Sequence, residues 1–495
     1  MVWFARRLQA TDRGARGATL MQTPAIAYVL GASGALVGRL LSLVAGMLSL
    51  WLLAQLLSHE DFAGYASAMA VVILLGHGAG LGIEQAMLLR LPPLATLSGR
   101  LVGRSMMLRT AGVVVVLSVA VVGAMFGVLG AVPAFEVGAT YQWIVALWPV
   151  IPGYALFLVF VSWYRSNQRV GIAEAMPGVA DAARSLTFGF IYIVGLGAAA
   201  VPAGVALSLL LPIVFLIAMS AGRADPAPSN LRFSDASAGL RFLVMRLSTM
   251  GLRQIDLIVM GFLVGGSATA AYAVASRIGD MAQLGQHAFV QTYAPRVRRH
   301  LARGDEAAIV REYNATRALS FLLCLGIAAV LVLCGQVALD VFGDFSQGYP
   351  VLLLVLAGHL VTASFGGHDA HLSMTDHLGA AMANRMAALC TFVILLALLV
   401  PPFEGLGAAI SFVGAATLHG VVGAILLRRK SAARLLHASA SAAGLIGSGG
   451  LVLVALAGVS PVFGLAALFC AAVTVLIGEA PLLARALGLD ARFRG

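Results

Sequence analysis

Long apolar runs alternate with short polar breaks along the whole chain. The run "VVVVLSVAVVGAMFGVLGAV" at 113–132 holds 20 residues without a charge. That is enough to cross a hydrocarbon core of about 30 Å. Runs of this kind predict about 14 spans, at 31–57, 64–89, 110–132, 141–163, 172–196, 201–221, 238–264, 268–294, 317–342, 349–371, 380–401, 405–427, 438–459 and 461–483. The pattern therefore predicts an all-α polytopic membrane protein.

The pattern also repeats. With the chain shifted by 207 residues, "LLSHEDFAGYASA" (56–68) falls on "LVGGSATAAYAVA" (263–275). Tyr65 then pairs with Tyr272, Arg39 with Arg246 and Arg104 with Arg311, and the first six spans register on the next six. Six is an even number, so both copies start on the same side. Two six-helix lobes should be related by an axis along the membrane normal, a known transporter design with its site between the lobes. The predicted layout is an N-terminal arm (1–24), an N-lobe (25–221), a linker (222–236) and a C-lobe (237–427). A basic loop and two further spans complete it (428–495).

Composition agrees with this class: 60% of residues are hydrophobic and only 11% charged, against about 25% charged in a soluble domain. The net charge of +11 would suggest nucleic acid in a soluble protein. Here the basic residues sort to one side instead. With the N-terminus inside, the strongly basic connections, including "RVRRHLARGDEAAIVREYNATR" (296–317) and "RRKSAAR" (428–434), all fall inside. The seven outward connections are short and carry no Lys or Arg. By the positive-inside rule this supports 14 spans with both termini cytoplasmic. Cys324, Cys334, Cys390 and Cys470 lie in apolar runs, which argues against a disulfide framework.

A minority of positions breaks the apolar rule, and these carry the candidate chemistry. "LRFLVMRLSTMGLRQIDLIVMG" (240–261) places Arg246, Thr249, Arg253 and Asp256 within an arc of about 80° on one helix face. A charge at mid-bilayer costs roughly 2.5–3.5 kcal/mol on insertion scales, so it marks function by default. Arg277 with Asp280, Asp181 with Arg184, Arg39, Glu84 and Arg385 join them, and the balance is positive. The bland reading is that the i,i+3 pairs only tie helices together. It leaves the arginine surplus unexplained. Arginine's planar fork suits phosphate oxygens, so the expected ligand is an anion, plausibly a phosphate ester. Arg39, Arg246, Arg253 and Arg277 are the substrate-binding candidates. Asp256, Asp280 and Glu84 are the candidates for ion coupling, with Asp256 alternatively holding Arg253. The cluster His368, Asp369, His371 and His377 is set aside as naturally solvated at the inner end of the tenth span, so no metal or other cofactor is expected. "NAT" at 314–316 is dismissed as a glycosylation signal because it falls inside.

Residues 39–90 ("RLLSLVAGMLSLWLLAQLLSHEDFAGYASAMAVVILLGHGAGLGIEQAMLLR") resemble the opening two spans of the polysaccharide-transporter branch of the MOP exporter superfamily. "QIDLIVMGFLVGGSATAAYAVASRIGDMAQ" (254–283) resembles its seventh and eighth. Members of this Wzx type are flippases. The resemblance implies movement of an undecaprenyl-pyrophosphate-linked oligosaccharide to the outer leaflet by alternating access of two lobes, alongside other polysaccharide assembly proteins. Three rivals stand beside it. A lipid II flippase also carries a pyrophosphate. A multidrug exporter of the same superfamily would call for an acidic cavity. A membrane ligase or polymerase would need a substantial outward loop, which this chain lacks, so a transporter is expected rather than an enzyme.

Overall fold

The computed structural model describes residues 41–82, 101–131, 138–167, 169–220, 224–225, 234–284, 303–375, 377–430 and 438–480, with a few positions between 286 and 301. The fold is that of an all-α polytopic membrane protein. The N-terminal half holds α1 (Leu41–Leu56), α2 (His59–Ala79), α3 (Arg104–Ala131), α4 (Ala139–Leu147), α5 (Val150–Ser166), α6 (Val170–Val194) and α7 (Val201–Ser220). The second half holds α8 (Ser234–Leu263), α9 (Gly266–Gly279), α10 (Glu306–Val341), α11 (Tyr349–Phe365), α12 (His368–Met374) and α13 (Leu378–Lys430). The hairpin α14 (Ala438–Ala457) and α15 (Pro461–Gly478) follows.

Local chemistry sets the breaks. Ser58 caps α2, its hydroxyl accepting the Asp61 N–H at 3.1 Å, and Glu60 and Asp61 complement the helix dipole in the first turn. The fourth span is bent by 54° between α4 and α5. Pro149 sits at the bend with no N–H to continue the ladder. The long element α13 is two antiparallel spans. The chain reverses at Glu404 (φ 49°) after Pro401 and Pro402, and Phe392 then packs on Phe412. Gly265 and Gly266 take φ of 66° and 56°, the left-handed turn between α8 and α9 that favours glycine. Among the described residues seven helices are apolar and long enough to cross a membrane, or eight with the bent pair counted as one. The charged α6, α8 and α9 are not among them. Helix count, not hydropathy alone, recovers the 14 segments.

The packing repeats as the sequence does. In the N-lobe the fourth span (α4–α5) packs on spans two, three, five and six. In the C-lobe the tenth span (α11) packs on spans eight and nine and on the α13 pair. The hairpin α14–α15 docks on α11 and α10 of the C-lobe. A buried ion pair fastens it: the Arg317 guanidinium on α10 donates to Glu479 at 2.5 Å, with both side chains fully shielded. The apolar pattern puts Arg317 at the boundary between a basic connection (296–317) and the ninth span (317–342). Instead α10 starts eleven residues earlier, at Glu306, and Arg317 is inside the protein. Asn314 is also buried and bonded to the Val310 carbonyl, which removes it as a glycosylation acceptor on structural grounds.

The lobes meet at the end that carries the acidic connections. Trp51 donates to the Val341 carbonyl at 3.1 Å, the His59 ring lies 3.3 Å from the Gly343 carbonyl oxygen, and Thr140 donates to the Gly261 carbonyl at 2.9 Å. Phe345 packs on both His59 and Phe62. Gly261 lies so close to Ser67 that a Cβ would come within 2.1 Å of its hydroxyl. This seal needs both rings and a bare backbone.

Candidate functional site

The helix α8 lies between α2 of the N-lobe and α13 of its own lobe. Its polar stripe therefore divides. Thr249 turns to its own lobe and accepts from Arg385 at 2.5 Å. Asp256 does the same. It is 9% exposed, and its carboxylate accepts the Tyr272 hydroxyl at 2.5 Å and the Leu257 N–H at 2.9 Å. Asp256 thus belongs to α9 and its own backbone, and does not hold Arg253 as the spacing had suggested. A carboxylate that deep finds the nearest hydroxyl, because an unpaired buried acceptor is costly.

Arg253 is exposed and, among the described residues, makes no hydrogen bond or ion pair. Its charge acts on Asp280 and on His77 of α2. Arg246, half-buried, acts on His77 and on Tyr154 of α5. Arg184 of α6 also acts on Tyr154, and both Arg184 and Arg277 act on Tyr65. Cations from both lobes thus share one neighbourhood, walled by His77, Tyr154 and Tyr65. His77 and Tyr154 pack edge to face with centroids 5.3 Å apart.

Further intramembrane charges form ion pairs among the described residues. Arg277 reaches Asp280 at 3.6 Å and Gln254 at 3.2 Å. Asp280 in turn lies 3.1 Å from His359 of α11 and accepts from Gln283 at 3.3 Å. In the N-lobe Arg184 reaches Asp181 at 3.3 Å, and Ser42 of α1 donates to the same carboxylate. Arg385 grips Asp369 by Nε at 3.0 Å and by a terminal nitrogen. Arg39 and Glu84 lie outside the described residues.

The structure therefore brings Arg246 and Arg253 together on the interlobe face, and it sets Arg277, Asp280 and Asp256 inside the C-lobe wall. Sequence reasoning missed Tyr272, His359, Tyr154 and His77. Only Tyr272 carried a signal, as the repeat partner of Tyr65. It also set His368 and His371 aside as solvated, but both are 2% exposed. His419, from 50 residues on, joins Asp369 at 3.1 Å.

No protein-family profile and no curated protein matches the chain. Solved structures do match. "Lipid II flippase MurJ, inward closed conformation" aligns with TM-score 0.65 at 13% identity, over 92% of this chain and 99% of its own. A multidrug resistance MATE family transporter of the MOP superfamily, in its inward-facing conformation, aligns with TM-score 0.62 at 15% identity, over 81% and 100%. A MOP superfamily transporter from Pyrococcus furiosus, described by the reverse polarity of its binding pocket, aligns at 0.61 and 13%, over 82% and 95%. At these identities the likeness is one of fold: the chain shares the architecture of MOP-superfamily transporters and flippases.

Proposed function

We propose that the chain translocates an undecaprenyl-pyrophosphate-linked oligosaccharide across a bacterial inner membrane, with its N- and C-termini cytoplasmic. One observation carries this reading: Arg253 stands exposed at mid-span on the interlobe face, without a hydrogen bond or ion pair among the described residues, and Arg246 is two turns away. The two lie roughly 10 Å apart along the helix at 1.5 Å per residue. A pyrophosphate can bind one guanidinium and pass to the other as the N-lobe (25–221) and C-lobe (237–427) rock about their seal. A guanidinium fork pairs with phosphate oxygens in two parallel bonds. The cleft between lobes leaves a lipid tail in the bilayer while the head crosses. The seal at the acidic end corresponds to an inward-facing state. Outward movement of each negative charge through 100 mV would release roughly 2.3 kcal/mol. Asp280, Asp256 and Glu84 are the groups able to load a coupling cation, the first through its contact with His359.

A second reading, lipid II as the cargo, has a specific support: the flippase comparison spans more of this chain than the multidrug comparisons do. A cationic drug is the poorest fit to a face of arginines.

The test is surface polysaccharide in a strain lacking the native copy, with protein level in the membrane fraction. Arg253→Ala should cut export by at least about tenfold at normal level, and Arg253→Lys should keep part of it, because charge survives and the fork does not. Normal export by both Arg253→Ala and Arg246→Ala at normal level would sink the reading. Restored lipid II movement in place of polysaccharide would select the second one.

A further inference from the structure

Gly366 takes φ of 71° at the end of α11, and the chain turns at once into α12. Its first two residues are His368 and Asp369. The second half of α13 runs past them and contributes His419. Nε2 of His368 stands 3.6 Å from Oδ1 of Asp369, and Nε2 of His419 stands 3.1 Å from Oδ2. The two imidazole centroids are 4.6 Å apart. One donor atom from each residue lies within 4.8 Å of the other two. Ligands about 2.0–2.1 Å from a tetrahedral zinc ion stand roughly 3.4 Å from each other, so these three need only a small closure.

Burial makes the arrangement pointed. His368 is 2% exposed. Its Nε2 and the facing Oδ1 of Asp369 are shielded from solvent and lack hydrogen bonds among the described residues. A proton shared between them is ruled out by length, since 3.6 Å exceeds a hydrogen bond. Two shielded polar atoms face one another, and a cation between them satisfies both when the His368 proton sits on Nδ1. Arg385 does not fill this role, because it grips the other oxygen, Oδ2, together with His419. That grip fixes the carboxylate with Oδ1 turned to His368. Gly423 fixes the imidazole: a Cβ there would come within 2.3 Å of His368 Cδ2. The three residues also line a cavity of about 420 Å³, shared with Thr362, Gln286 and Ser373.

We propose that His368, Asp369 and His419 bind a divalent transition-metal ion of the zinc type in the C-lobe. Two imidazoles and a carboxylate are borderline ligands that suit zinc and disfavour magnesium or calcium, which prefer all-oxygen sites. The fourth position opens on the cavity and takes water or an anionic oxygen. The Asp369–Arg385–Thr249 chain of contacts ties the site to α8. The site stands whether or not the chain is a flippase.

The experiment uses the full-length protein, purified in detergent with a tag free of histidine and dialysed against Zn²⁺ alone at micromolar free concentration. The wild type should retain one zinc per chain, and zinc should raise its unfolding midpoint. His368→Gln and His419→Gln should weaken binding by at least about tenfold, since losing even an outer-shell partner of a ligand costs that much. His371→Gln should bind as the wild type does, because His371 is instead engaged by the Tyr293 hydroxyl at 2.7 Å. A wild type that retains no zinc overturns the site without any variant. Wild-type affinity in both ligand variants, shown monodisperse by gel filtration, overturns it as well.

Discussion

In the N-lobe, α1 gives a hydroxyl to a carboxylate: Ser42 donates to Asp181. In the C-lobe the residue 207 positions on, Thr249, accepts from a guanidinium, that of Arg385. The contact is the same, between the first and fifth spans of each repeat, and the charge is inverted. Deeper in, Ser49 shares a hydrogen bond of 2.8 Å with Ser185, while its counterpart Asp256 takes the Tyr272 hydroxyl. The outer contact keeps its position and inverts its charge, while the inner one moves from the fifth span of its repeat to the second. Among the described residues the N-lobe holds small polar groups and two ion pairs, Arg184–Asp181 and Arg165–Glu174. The C-lobe holds charges, and Arg246 and Arg253 stand on the face turned to the N-lobe.

Three pairs of variants probe this difference in thermal unfolding of the purified protein. The greatest contrast is expected between repeat partners Arg317 and Thr110. Glu479→Gln leaves Arg317 as a buried charge without its carboxylate and should cost about 3–5 kcal/mol. Thr110 is buried with its hydroxyl unbonded among the described residues, so Thr110→Val should be neutral or slightly stabilising. Equal costs would mean the C-terminal hairpin is not fastened by this pair. Next come the tyrosines. Tyr272→Phe strands the buried Asp256 carboxylate and should cost about 1–3 kcal/mol. Tyr65, whose hydroxyl makes no hydrogen bond among the described residues, should tolerate Phe within about 0.5 kcal/mol. A silent Tyr272→Phe would erase the distinction. The smallest effects belong to Ser42→Ala and Thr249→Val. Each removes one bond to an ion that keeps another partner, so each should cost about 1 kcal/mol. A large gap between them would show that the two contacts are not equivalent after all.

Spans, repeat and stripe were legible because each is a one-dimensional pattern: apolar length, a fixed offset and a helical period. The bend at Pro149 was legible in principle from a missing donor. The partners were not. Asp256 and Arg253 share a helix face, but proximity along a helix says nothing of a tyrosine on the next one. Arg317 and Glu479 are 162 residues apart, and each sat at the edge of a run where charge looked solvated. His419 reads as a lone polar residue in an apolar run until the α13 reversal carries it beside Asp369.

The fastening of Arg317 also has a meaning for synthesis. A ribosome delivers α10 to the bilayer long before α15. Until Glu479 follows, Arg317 lacks the carboxylate that neutralises it in the folded chain. A chain truncated before Glu479 would therefore keep a buried guanidinium without that partner, with the cost that an unneutralised buried charge carries.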